Sequence, residues 1–433
     1  MDWEGTVSED TGSPSLGDRK FVKRPIAAFT IRDRTNYDND LKIHKDIIDK
    51  FYDQRVNWKT SNLGTILFKN ADPKLFQHGS RSHKRYLVLV WRYLEELKET
   101  QIFNYRQLSY HKEPDLLEGC SVKNCKFTGD DENLAHADAV ILDMKKNSFP
   151  IVQKKSPKQR WIFYSDVTPV KLLGLHKISD VENMFNWTMT YRSDSDIPIP
   201  YGRTVPFALP AEIYLGIAEV ALANLVPDWD EKQFIILASI YLPNCMMRGA
   251  MKIVKDLRKY ISVDIQGCIS EAEKNSFTCT EPVTDDCKIM SNYLFYLVIE
   301  DSSCRQYITE KCFHFGYAKG AIPVIMGPPV KDCEKLLPPN SFLHVDNYKS
   351  LRELTDHMKQ ITETFESILV YHAWRKHFAV INEHGKFGRS SPLFCRVCEA
   401  LNYNDGETNV YETEDLELFF DKKLTCKAEY NVS

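Results

Sequence analysis

Residues 293–311, YLFYLVIEDSSCRQYITEK, hold the densest chemistry in the chain. An apolar run ends in two carboxylates, Glu300 and Asp301, and a short polar loop then leads into a helix start. Thr309 has the type of an N-cap, and Glu310 in the first turn suits the helix dipole. Lys311 does not. A cation among the first free N–H groups opposes the dipole unless an anion lies between them, and a phosphate would satisfy both the N–H groups and the ammonium. The alternative is a surface lysine pointing outward.

The twelve cysteines allow a second chemistry. They cluster as Cys120 with Cys125, as Cys268 with Cys279 and Cys287, and as Cys395 with Cys398. Only Cys395 and Cys398 have CxxC spacing, and no second pair answers them, which argues against a structural zinc site. The pattern reads instead as a disulfide-rich chain from an oxidising lumen. Local pairs, Cys120–Cys125 and Cys395–Cys398, are the expectation; spacing leaves the remaining connectivity open. Asn186-Trp187-Thr188 and Asn431-Val432-Ser433 are glycosylation sequons that fit that compartment. Residues 1–24 are polar, with neither a signal peptide nor a membrane span, and no later run reaches about 18 apolar residues. Two explanations stay open: a membrane anchor absent from this chain, or a protein that never enters the lumen.

The elements that must position these groups follow from periodicity. At 433 residues the chain exceeds one ordinary core, so two domains are expected. A net charge of −4 with mixed signs supplies no basic face for nucleic acid. Strands are expected at 86–91, 139–142 and 161–164, then at 234–242, 263–265, 293–300 and 321–326, with helices at 251–260 and 309–319. A stripe of Leu351, Leu354, Met358, Ile361, Phe365 and Ile368 predicts one long helix over 348–377. Two α/β series separated by a break near 205–230 imply two Rossmann-like domains facing across a cleft. The expected boundaries are a disordered segment 1–24, an acceptor-side domain 25–225, a donor-binding domain 226–385, and a tail 386–433 carrying the CxxC.

The 293–311 segment closely resembles the donor-binding motif of the α1,3-fucosyltransferases, glycosyltransferase family ten, written FxLAFENS followed by DYxTEK. Residues 320–328, GAIPVIMGP, look like the family's GAVPVVxGP, and 338–346, PPNSFLHVD, match PPNSFIHVDDF. Trp374-Arg375 matches the closing aromatic–arginine pair. Upstream, Gly119-Cys120, Cys125 and residues 137–140, ADAV, follow GC…C…ADAV, while 186–196 with Tyr201-Gly202 is similar to NxTxxYRxDSDIxxPYG. Residues 394–398, FCRVC, are more similar to invertebrate and plant members acting on N-glycans than to vertebrate Lewis-antigen enzymes. The resemblance implies a GT-B fold, GDP-fucose as donor, a glycan or glycoprotein acceptor, a Golgi location with a membrane anchor, and inversion at the sugar carbon. It implies no obligatory cofactor or catalytic metal, a divalent ion being stimulatory at most. Glu310 would bond the ribose and Lys311 the diphosphate, with Tyr307 near the guanine or fucose and Glu300, Asp301, Asn244 and Arg248 completing the donor site. Asp194, Asp196 and Tyr201 would border the acceptor.

Three departures bear on chemistry. The family's base, a Glu in an ESP motif, aligns with Val167, which cannot accept a proton; adjacent Asp166 is either a relocated base or a solvated loop carboxylate. The family's phosphate-binding Arg aligns with Ala250, leaving Arg248 half a turn earlier. Asp301 replaces an Asn, and Gln306 an Asp, and an added carboxylate beside a diphosphate is unfavourable unless paired. An active transferase moving fucose to a GlcNAc therefore stands beside a GDP-fucose-binding pseudoenzyme.

Overall fold

The structure is a computed structural model that describes residues 31–77, 84–111, 113–146, 148–151, 156–172, 183–242, 247–267, 287–385, 389–406, 410–412, 414–416 and 422–426. The expected disordered segment 1–24 lies outside the described residues, as do Asn244 and Asn431.

The first sheet contains β1 (Tyr86–Val90), β2 (Cys125–Thr128), β3 (Ala139–Asp143), β4 (Arg160–Ser165), β5 (Trp187–Thr190) and β6 (Ile197–Pro198). Their order is β2-β1-β3-β4-β5-β6 and every pairing is parallel. After β7 (Gly202–Pro206) a second sheet forms from β8 (Ala238–Tyr241), β9 (Val263–Gln266), β10 (Phe295–Ile299), β11 (Ile322–Met326) and β12 (Leu343–His344). It runs β12-β11-β10-β8-β9, again all parallel. Each sheet thus places its second strand outside its first and winds the other way from the third. That is the doubly wound order, with a switch point between first and third strands where ligands bind beyond the carboxyl ends. β13 (Phe378–Asn382) returns to pair antiparallel with β7, so the joint between the domains is a two-stranded ribbon. The architecture is α/β, with two Rossmann-like units.

Several expectations change. The helix expected over 348–377 is broken into Leu351–Ile361, Phe365–Val370 and a 3-10 turn Ala373–Lys376. Thr364 causes the restart: its hydroxyl accepts from Ser367 N–H at 3.1 Å, so it caps a new helix while the apolar stripe continues across the gap. The strand expected over 234–242 is shorter, because Ile235 is exposed and only 238–241 enters the sheet.

The segment after 386 is also no loose tail. Helix Leu393–Tyr403 packs into the first sheet's core through Phe394, Val397, Ala400 and Leu401. The local cysteine pairs are corrected accordingly: the bonds are Cys120–Cys395 and Cys125–Cys398, with Cα separations of 5.2 and 5.8 Å. Residues three apart on a helix share a face, so both thiols of the CxxC point at the segment that opens β2. A further bond, Cys304–Cys426, ties the loop after β10 to the short helix Lys422–Thr425.

Buried charges lock the ribbon. Glu383, at the end of β13, accepts from Arg203 of β7 at 2.7 Å and from Arg396 at 3.1 Å. Burial opposes ionisation of Glu383, but the two guanidiniums outweigh it and hold the carboxyl below its ordinary value. The long N-terminal helix Ile31–Asp53 lies against the same seam, with His44 Nδ1 3.0 Å from His377 Nδ1 and Lys376 paired to Asp40 at 2.7 Å. No helix among the described residues is long and apolar enough to cross a membrane.

Candidate active site

A cleft of about 440 Å³ opens between the two sheets. One wall comes from the first domain: Lys145 after β3, Asp166, Val167 and Lys171 after β4, and Tyr201 before β7. The other comes from the second domain: Glu300 and Asp301 after β10, then Tyr307, Thr309, Glu310 and Lys311. It lies at the switch point of the second sheet, where doubly wound folds hold ligands.

The local structure around Lys311 is more specific than the sequence indicated. Glu300 is buried at the end of β10 and accepts from Thr309 N–H at 2.8 Å and from its hydroxyl at 2.9 and 3.0 Å. Burial pushes the Glu300 carboxyl up, against the pull of Lys311 and the Thr309 bonds. Thr309 therefore spends its hydroxyl on Glu300, and Lys311 N–H reaches its oxygen only at 3.4 Å. The helix that follows, Lys311–Ala318, is π-helical, a form that concentrates at functional sites. Lys311 does not point outward. Its ammonium donates to Ile299 O at 2.8 Å and lies 3.6 Å from Glu300 Oε2, facing the cleft. Gly327 of the GAIPVIMGP run explains its own presence: at φ +148° any Cβ would lie 2.8 Å from Glu300 Cβ.

Aromatic rings floor the cleft. Tyr201 stacks on His384 at 4.6 Å and meets Tyr307 edge-on at 5.8 Å; Tyr307 meets Tyr191 at 5.0 Å. Burial raises both Tyr201 and Tyr307 well above the ordinary phenol, so both are neutral. Tyr201 donates to Asp166 O at 2.7 Å, which fixes the loop after β4.

That loop decides the position of Asp166. On an extended strand it and Val167 would face opposite ways, but β4 ends at Ser165 and both residues line the cleft. Asp166 Oδ1 lies 2.9 Å from Lys145 Nζ. Burial works against the Lys145 charge, yet Asp166 and Asp143 prevail and raise its pKa, so the lysine is firmly protonated.

Other expected site residues are placed elsewhere. Asp196 is half-buried and accepts from Thr188 N–H at 2.7 Å and Tyr411 OH at 2.7 Å; Asp194 holds the Arg192 guanidinium at 2.8 Å. Neither is among the residues that line the cleft. The motif braces the donor segment instead: Ser193 N–H donates to Gln306 Oε1 at 2.7 Å, so the residue that departs from the family Asp joins the two domains. Asn186 is buried, and its Oδ1 accepts from Trp161 N–H at 2.9 Å. Arg248 opens the helix Arg248–Leu257, and Ala250 is buried. Among the described residues no three His, Cys, Asp or Glu side chains group as a metal site.

Lys145, Lys171 and His384 are cleft residues that motif reading missed. Lys145 lies two residues beyond the end of β3, and that position was its only signal.

Two doubly wound domains, joined by a ribbon and presenting a lysine and carboxylates at the second switch point, define a GT-B glycosyltransferase. Comparison narrows this. Residues 83–202 match the family model "Fucosyltransferase, N-terminal", and residues 231–417 match "Glycosyltransferase family 10 (fucosyltransferase) C-term". The chain belongs to glycosyltransferase family 10, the fucosyltransferases. It is 30% identical over 304 residues to alpha-(1,3)-fucosyltransferase 7 of Mus musculus, covering 69% of this chain and 68% of that one. It is 27% identical over 295 residues to alpha-(1,3)-fucosyltransferase fut-5 of Caenorhabditis elegans, covering 67% and 74%. A crystal structure of an alpha1,3-fucosyltransferase with GDP-fucose aligns at TM-score 0.43 and 15% identity, over 76% of this chain and 95% of that one.

Proposed function

We propose that this protein transfers L-fucose from GDP-fucose, with inversion, in α1,3 linkage to a GlcNAc of an N-glycan in the Golgi lumen. The observation that carries the donor half is Lys311, turned into the cleft beside Glu310 at the start of a π-helix and at the switch point of the second sheet. In this reading Lys311 binds the diphosphate, Glu310 the ribose, and Tyr307 packs beside the base or sugar.

Asp166 takes the acceptor proton as the hydroxyl oxygen bonds to the fucose carbon and the GDP oxygen leaves. Its carboxylate lies 2.9 Å from the Lys145 ammonium, which orients it toward the cleft. The acceptor sits at the first sheet's own switch point, in a hollow of about 190 Å³ lined by Trp91, Tyr93, Glu96, Asp143 and Lys145. Trp91 lines this hollow, and its buried Nε1 has no hydrogen-bond partner. Disulfides that close across the fold support a lumenal location.

A second reading, a GDP-fucose-binding protein without turnover, is favoured by Val167, which lines the cleft where the family's Glu would stand. One experiment divides them. The purified chain is incubated with labelled GDP-fucose and a panel of N-glycan acceptors. Transfer that disappears in Lys311→Ala supports the enzyme; donor binding with no transfer to any acceptor supports the second reading; no donor binding sinks both.

A further inference from the structure

We infer that Lys171, on the wall built by the first domain, is a second diphosphate-binding cation, held in place by Asp301. This rests on the donor reading above.

Each cleft lysine has an internal partner. Lys145 is paired to Asp166, and Lys311 is anchored between Ile299 O and Glu300. Lys171 Nζ lies 2.5 Å from Asp301 Oδ2, and this pair alone among the three crosses the cleft. It runs from the short helix Pro169–Leu172 to the loop after β10, and Thr168 Oγ1, 3.2 Å from Ser302 Oγ, holds the two loops in register. The pair is also the most exposed of the three, at 46% and 33% of the side chains. Ion pairs that open to solvent hold weakly and exchange partners readily.

The need for such a cation is visible on the opposite wall. Lys311 shares its surroundings with Glu300 and Glu310, so one ammonium faces two phosphates and two carboxylates. Where the resemblance places a phosphate-binding arginine, this chain has buried Ala250. Asp301 would repel a diphosphate, and its pairing to Lys171 removes that repulsion while keeping an ammonium at the mouth of the cleft. On binding, the donor phosphate becomes a second partner of the Lys171 ammonium, whose three N–H donors can serve it and Asp301 together. When the bond from the fucose carbon to the GDP oxygen breaks, the charge left on GDP is shared by the Lys171 and Lys311 ammonium groups, which keep their protons.

GDP is titrated calorimetrically into the full chain and into Lys171→Gln, Asp301→Asn and the double variant, with thermal unfolding as the control for folding. Lys171→Gln is expected to weaken GDP binding by about tenfold to a hundredfold, as for loss of a charge-assisted hydrogen bond. The loss should persist when Lys171→Gln is compared with its parent in the Asp301→Asn background, and Lys171→Arg should retain most of the affinity. If the loss vanishes in the Asp301→Asn background, Lys171 merely neutralises Asp301 and the inference fails. If the unsubstituted chain does not bind GDP, the donor reading itself fails.

Discussion

The two sheets share a strand order, and each ends at a switch point, but the loops there carry different chemistry. On the second domain, residues 300–311 hold Glu300, Thr309 and Lys311 in a network closed at 2.8–3.0 Å, with both carboxylate oxygens of Glu300 engaged. On the first domain, Asp166 and Lys145 face the cleft beside Val167, and Trp91 has a donor with no partner. One wall is finished without a ligand; the other is not. The proposed roles would account for this: a wall for one constant donor can be built to completion, whereas a wall for a glycan would leave groups for it to satisfy.

Four substitutions test that contrast, in falling order of effect. The largest acts on the staples of the first domain. Cys120–Cys395 and Cys125–Cys398 close loops of 275 and 273 residues in parallel, so either one still closes the long loop when the other is cut. On the chain-entropy account, losing one costs about 2–3 kcal/mol and losing the second a further 5 or so. Chemical denaturation of Cys120→Ser/Cys395→Ser against the fourfold variant should show that inequality; equal increments would contradict it.

Asp166→Asn should lower transfer by about a hundred- to ten-thousandfold and leave GDP affinity within about twofold. Normal transfer in this variant would remove the carboxylate from the mechanism and place the base elsewhere on the first wall. Lys311→Ala should weaken GDP binding by about ten- to a hundredfold, the usual scale for losing one charge-assisted hydrogen bond. An unchanged titration would show that the second wall is not the donor wall.

The smallest effect concerns the seam between them. Burial, then His44 and Lys376, push His377 down to about 4, with Asp40 opposing. The unfolded chain therefore takes up a proton, between roughly pH 6.5 and 4, that the folded chain refuses. The stability this gives is complete above about pH 6.5 and is lost as pH falls through about 4. His377→Gln should flatten the melting-temperature profile over that window; an unaltered slope would assign it to other groups.

Much of the second domain was legible in the sequence, because buried parallel strands such as Phe295–Ile299 and Ile322–Met326 read as continuous apolar runs. The first sheet was less so: β2, with its CKFT sequence, lies at an edge, and β6 has two residues. The donor segment was readable because its chemistry is local, a strand end, a loop and a helix start. What escaped was set by distant partners. The cysteine pairing depends on a helix returning from 270 residues away, and the burial of Asn186 depends on Trp161 across the sheet. Asp194 and Asp196 carry charges typical of a binding loop, but Arg192, Thr188 and Tyr411 consume them. The cleft position of Asp166 depended on where β4 stops, a boundary that periodicity places only within a few residues.

Gly202 of the ribbon packs so closely on the π-helix that a Cβ there would come within 2.3 Å of the Phe313 ring. Phe313 stands two residues beyond Lys311. The helix that opens with Lys311 thus rests its flank on the strand pair that joins the two halves. Any side chain at Gly202 would push that helix, and Lys311 at its start, away from the ribbon.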